Sequence, residues 1–315
     1  MSLPQMMKDV WDNHFESLTP MMKNYLETKK QHEDCIIFYR LGDFYEMFFD
    51  DALEASKVME ITLTGKSCGL EERAPMCGVP YHAVDMYINK LVTRGYKVCI
   101  VEQAEDPALA KGLVKREVSR IVTPGTNLNL TAMDEGKNNY LMSIAYIGGK
   151  FGISIADVTT GDYYVTEVYS ERNVLDEINK FMPTEIICNH AFLMCGMDID
   201  DIKNRLSISV FELEEWYFDE NNCSEVLKDH FRIMDLSGLG ISEMSLGVIA
   251  SGSLLKYLYE TQKNSLTHLS KLVPYSTSTF MILDTSTRRN LELCETLREK
   301  QKRGSLLWVL DKTKT

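Results

Sequence analysis

The run Cys35-Ile-Ile-Phe-Tyr-Arg-Leu41 constrains this chain more than any other feature. It is almost continuously apolar and closes at Gly42-Asp43, which reads as a buried strand stopped by a turn. Phe44-Tyr45-Glu46-Met47-Phe48-Phe49 follows, dense in aromatics around one carboxylate. Asp50 and Asp51 then suit the start of a helix carrying Leu53, Ala55, Val58 and Met59 on its apolar positions. Upstream, Thr19 is placed to cap a helix that begins at Pro20, with Met21, Met22, Tyr25 and Leu26 on one face. Downstream, 64–80 reads as loop, because Gly65, Gly69, Pro75, Gly78 and Pro80 interrupt it. A helix is expected over 83–93, ended by Gly95, and strands over 97–101 and 118–122. Strands and helices interleaved in this way imply a mixed α/β fold.

The turn Thr123-Pro124-Gly125-Thr126, followed by a polar stretch to Asn139, marks the strongest boundary. Beyond it, 140–146, 150–158 and 162–169 alternate apolar and polar residues and are joined at Gly148-Gly149 and Thr159-Thr160-Gly161. That spacing predicts a three-stranded antiparallel meander, continued as mixed α/β to about Leu272. From Leu283 the chain reads as charged amphipathic helix, with Arg288, Arg289, Arg298, Lys300, Lys302 and Arg303. The expected organisation is a loose leader over 1–14, a first domain over 15–126, a second over 127–272, and a truncated helical segment over 273–315.

Charge narrows the function classes. The net charge of −12 argues against indiscriminate nucleic-acid binding, which needs surplus cations to neutralise phosphate. Its distribution is uneven: −3 over 15–125, −11 over 126–272 and +3 over 273–315. DNA contact is therefore expected at the two ends. The eight cysteines show no CxxC and no zinc-ligand spacing, so free thiols in a reducing compartment are expected. Cys188, His190 and Cys195 come nearest to a metal cluster, yet Cys188 ends a strand-like run and reads as core. The first ten residues lack a signal peptide's apolar stretch, and no run is long enough for a membrane helix, so a cytoplasmic protein without a membrane partner is expected.

Taken by pattern alone, Phe44 and Tyr45 alternate into a core and Glu46 is solvated. The functional reading is a wedge. An apolar side chain entering the minor groove unstacks a base step, and defective pairing lowers that cost. A neighbouring carboxylate is repelled by phosphate, yet it can hydrogen-bond to a displaced base. Lys111, Lys115, Arg116 and Arg120 make the best positive field in the first domain, against a solvated strand face as the plain reading. Met76 and Tyr81 could line a groove or pack inside. His82 reads as a packing residue. Gly65-Lys66-Ser67 ends like a phosphate-binding loop, but Glu60 stands where the first glycine would be.

Four motifs decide between these readings: Leu18-Thr19-Pro20-Met21-Met22, Phe38-Tyr39-Arg40-Leu41-Gly42-Asp43-Phe44-Tyr45-Glu46, Gly78-Val79-Pro80-Tyr81-His82 and Arg120-Ile121-Val122-Thr123-Pro124-Gly125-Thr126. In this order and spacing they resemble the mismatch-recognition domain of the MutS family. Leu283-Asp284-Thr285-Ser286-Thr287-Arg288-Arg289-Asn290-Leu291-Glu292 is similar to the start of that family's helical core. The resemblance implies a MutS-type mismatch-recognition domain, then an RNase-H-like connector domain with no nuclease function, then a truncated helical segment. It implies that Phe44 stacks on a mispaired base and that Glu46 hydrogen-bonds to it. Leu41, Tyr45, Lys66, Met76, Lys115, Arg116 and Arg120 are the candidate supporting DNA contacts. The implied partners are mismatched double-stranded DNA, a second MutS-type subunit in the full-length form, and a MutL-type protein meeting the connector. The family's ATPase lies far downstream, so no cofactor is expected in this stretch, and ATP and Mg²⁺ are expected only in the full-length protein. A bacterial nucleoid-associated protein follows from the same resemblance. Two readings from other classes stay open: an acidic protein-interaction scaffold, and a nucleotide-handling enzyme.

Overall fold

The computed structural model describes residues 3–104, 115–127, 138–277, 283, 285–299 and 301–311. The chain divides into two compact units. One comprises Met1–Asn139, Val158–Thr160 and Lys256–His268, and the other comprises Tyr140–Asp157, Gly161–Leu255 and Leu269–Thr315.

In the first unit, helices α1 (Gln5–His14) and α2 (Pro20–Gln31) precede strands β1 (Cys35–Leu41) and β2 (Phe44–Phe48). Helix α3 (Phe49–Met59), strands β3 (Thr64–Lys66) and β4 (Ala74–Pro80), helix α4 (Val84–Val92) and strands β5 (Lys97–Gln103) and β6 (Arg116–Val122) complete it. The sheet order is β3-β4-β2-β1-β5-β6, with β5 parallel to β1 and the other neighbours antiparallel. One face packs Ile37, Tyr39 and Phe48 against Met7 and Val10 of α1 and Met22, Tyr25 and Leu26 of α2. The other packs Phe38, Tyr45 and Met47 against Ala52, Ala55 and Val58 of α3 and Ile88 and Leu91 of α4. Alternation along β1 and β2 thus feeds two cores, which explains why Cys35–Leu41 is apolar almost throughout.

Three expectations need correction. Residues 1–14 hold a helix and are not a loose leader from Gln5 onward: Met7 and Val10 are buried, and the Met7 amide donates to Asp50 Oδ2 at 2.9 Å. That bond satisfies one of the amides a helix start leaves open. The 64–80 stretch contains two strands, and β4 pairs with β2 from Phe44↔Pro80 to Phe48↔Met76. The prolines fit because each lacks a partner on one side: β3 reaches only from Thr64↔Met76 to Lys66↔Ala74, short of Pro80, and the β2 pairing ends at Met76, short of Pro75. Helix α2 does start at Pro20, but the Thr19 side chain makes no capping hydrogen bond.

The second unit opens with the antiparallel meander β7 (Tyr140–Ile147), β8 (Lys150–Asp157) and β9 (Tyr163–Val168), as the alternation predicts. Gly148 and Gly149 both take positive φ (58° and 83°), the requirement of a tight two-residue hairpin turn. Helix α5 (Glu171–Phe181), strand β10 (Glu185–Cys188), short helices α6 (His190–Leu193) and α7 (Ile199–Arg205) and strand β11 (Ser209–Glu212) follow. Helices α8 (Glu220–Phe231) and α9 (Ser245–Gln262) and the two-residue strand β12 (Val273–Pro274) come next. The order β11-β10-β7-β8-β9-β12, with β10 parallel to β7 and β11 parallel to β10, is the meander-plus-parallel arrangement of an RNase-H-like sheet. Helices α5 and α7 cover one face, and α8 and the first part of α9 cover the other.

The charged helix expected from Leu283 is broken. Among the described residues only α10 (Thr285–Asn290) and α11 (Leu306–Leu310) form there, with left-handed residues at Glu292 (φ 47°) and Gly304 (φ 92°) between them. Lys300 lies outside the described residues. Leu306 to Leu310 are all exposed, so no packed apolar face extends α11.

Candidate nucleic-acid interface

The β1–β2 hairpin turns through Gly42 and Asp43, with Leu41 opposite Phe44. Gly42 takes φ 58° and Asp43 does not, the pattern of a turn needing glycine at its first central position. The hairpin therefore ends with Phe44 at its rim, 47% exposed, while its neighbour Tyr45 is 4% exposed. Adjacent strand residues point to opposite faces, so Phe44 and Glu46 share one face and Tyr45 takes the other.

The Phe44–Glu46 face gathers most of the residues singled out from the sequence. Leu41 and Met76 lie on it, partly buried against the α1–α2 core. Lys66 reaches it from β3, its Nζ 2.5 Å from Glu46 Oε2, with side chains 34% and 17% exposed. Arg116 lies on it too, its guanidinium 5.0 Å from the Tyr39 ring centroid and its Nε donating to the Arg40 carbonyl at 3.1 Å.

Other candidates lie elsewhere. Tyr45 faces the α3–α4 core beside Phe38, and its hydroxyl donates to Glu102. Burial, reinforced by that hydrogen bond, pushes its phenol up to about 12. It is placed to pack, not to touch a duplex. A bulge between Ile100 and Val101 shifts the β5–β6 register, so Arg120 pairs with Ile100 and faces the α4 side, 3.9 Å from Asp85. The bulge is why two arginines four residues apart end up on opposite faces. Lys115 is exposed and paired to Glu117 at 2.6 Å. Lys111 lies outside the described residues.

Arg40 escapes a reading of the sequence. Its guanidinium stacks 4.2 Å from the centroid of the exposed Tyr81, whose amide donates to the Asp43 carbonyl at 2.9 Å. A lone cation inside an apolar strand is the one signal that could have found it. His82 packs edge-on to Tyr81.

Two other candidate chemistries lose support. Gly65 and Lys66 lie in a paired strand, not in a loop opening onto a helix, so their backbone does not form a phosphate cradle. Cys188 is buried and its thiol pushed up to about 12 by that burial, while His190 pairs with Glu212 at 2.9 Å. No described helix is long and apolar enough to cross a membrane.

Comparison with known proteins matches this architecture part by part. Residues 19–131 match the family model of MutS domain I, and residues 139–270 match MutS domain II. The chain is 64% identical to a protein of Lachnoclostridium phytofermentans called DNA mismatch repair protein MutS, over 95% of this chain and 32% of that protein. Proteins of the same name from Ruminiclostridium cellulolyticum and Acetivibrio thermocellus are 54% and 51% identical, each over 95% of this chain and 34% of their own length. The chain thus spans about a third of the length of the curated relatives it matches. With domain I built around the Phe44 hairpin and domain II on the RNase-H-like sheet, in that order, the chain belongs to the MutS family.

Proposed function

We propose that this chain supplies the mismatch-reading part of a DNA mismatch-repair protein, with Phe44 as the wedge and Glu46 as the base contact. The observation that carries the reading is the hairpin rim: a large aromatic stands 47% exposed, two residues from a carboxylate on the same sheet face. Burying such a ring on folding would be favourable, and its exposure beside a carboxylate on one face supports a role in contact with a base. Inserted from the minor groove, Phe44 unstacks a base step at a cost of a few kcal/mol, least where pairing is already defective. Glu46 then accepts a hydrogen bond from the displaced base and disfavours intact duplex by charge. Leu41, Met76 and Arg116 support the rim from the same face. The acidic domain II, with −11 over 126–272, relays to other domains and to a MutL-type partner without gripping DNA. In the full-length protein, dimerisation and ATP–Mg²⁺ chemistry belong to other domains, and the site of action is the cytoplasmic nucleoid.

The test is a mobility-shift comparison of a G·T-mismatched duplex with its matched control, using the full-length protein. Phe44→Ala should bring the two affinities together, and Glu46→Ala should narrow their ratio while matched-duplex binding stays similar or tightens. Unchanged discrimination by Phe44→Ala would remove Phe44 as the wedge.

A further inference from the structure

Glu46 already has a partner. Lys66 donates to its Oε2 at 2.5 Å, and no other described residue bonds to this carboxylate, so Oε1 is open. The two residues do not sit on neighbouring strands, because β4 runs between them. Lys66 pairs with Ala74 and Glu46 with Gly78, four residues apart along β4, so the two long side chains meet on a diagonal across that strand. Gly78 stands directly opposite Glu46 on β4, where a Cβ would lie 3.4 Å from Glu46 Cγ and 3.3 Å from the Tyr45 carbonyl oxygen. Phe48 supplies the floor, with Lys66 Nζ 5.6 Å from its ring centroid. An ion pair reached diagonally across an intervening strand and over an aromatic floor is a built arrangement.

We propose that Lys66 is a positioning residue for Glu46, a role resting on the reading of Glu46 as the base contact. Lys66 holds one carboxylate oxygen in a charge-assisted hydrogen bond and leaves the other to accept from a displaced base. Its contribution is therefore to discrimination, whereas a lysine on phosphate strengthens binding to every sequence alike.

The experiment is a double-mutant cycle on the full-length protein, measuring affinities for G·T-mismatched and matched duplexes across a salt series. Lys66→Met should lower the mismatch-to-match ratio by about ten-fold, the scale of one charge-assisted hydrogen bond. Lys66→Arg should restore most of it. In a Glu46→Ala background, Lys66→Met should leave the ratio where Glu46→Ala put it. The proposal is overturned if Lys66→Met weakens both duplexes by the same factor in both backgrounds and makes the log–log salt slope shallower by about one, the mark of a phosphate contact. The two claims fail separately. If Glu46→Ala collapses the ratio and Lys66→Met does not, only the positioning role falls. If Glu46→Ala itself leaves the ratio intact, the base contact falls and takes the positioning role with it.

Discussion

Asp51 and Lys29 face each other inside the first unit, 2.8 Å apart and almost wholly buried. Tyr25 Oη and the Ile37 amide also donate to the Asp51 carboxylate, at 2.9 and 3.0 Å, and Lys29 donates to the Cys35 carbonyl at 2.6 Å. Burial pushes the Asp51 carboxyl upward against the opposing pull of Lys29. Removing one partner leaves the other charge buried and uncompensated, so Lys29→Met should destabilise the first unit by about 3–5 kcal/mol. Urea unfolding followed by Trp11 fluorescence, with Trp216 and Trp308 changed to Phe, measures it, and a loss below about 1 kcal/mol would contradict a charged, mutually compensating pair. Residue roles were unevenly legible in the sequence. Phe44 and Tyr45 look alike in composition, and only the strand's facing separates a rim aromatic from a core one. Lys66 was unreadable as a partner of Glu46, because their meeting depends on the β3-β4-β2 order.

Elements were more legible where periodicity was strong. The meander β7–β9 follows from alternation and glycine turns, and β1 from its apolar run. Strand β4 was hidden because Pro75, Gly78 and Pro80 read as loop when pairing is unknown. Helix α1 was hidden because only Met7 and Val10 of its ten residues are fully buried. Close packing between elements is likewise invisible beforehand. A Cβ on Gly152 of β8 would lie 2.0 Å from the Leu246 carbonyl oxygen of α9, so the helix backbone rests on the strand through a glycine. Gly152→Ala must push backbone from backbone and should cost the second unit about 1–3 kcal/mol or more. Gly238, where an added Cβ would meet open space and φ is not positive, is the control: Gly238→Ala should leave the urea midpoint unchanged or slightly raised. Equal losses at both positions would contradict close backbone packing at Gly152.

At the scale of the molecule, the charge divides with the domains. Domain I carries the exposed aromatic rim and its local cations with a net charge near balance over 15–125, whereas 126–272 carries −11. On the proposed reading, such a charge balance gains little affinity from phosphate contacts, so the binding should be selective. Family membership was legible from four ordered motifs and is supported by both domain models. The proposed DNA-reading mechanism rests on that resemblance, since Phe-x-Glu in a strand is usually core and solvent. Its most direct test places 2-aminopurine at the mispair and follows its fluorescence as the full-length protein binds, because that base brightens when it leaves the stack. The wild-type protein should raise the signal at a mispair far more than in matched duplex, and Phe44→Ala at saturating concentration should lose most of that rise. An equal rise with Phe44→Ala would contradict the wedge.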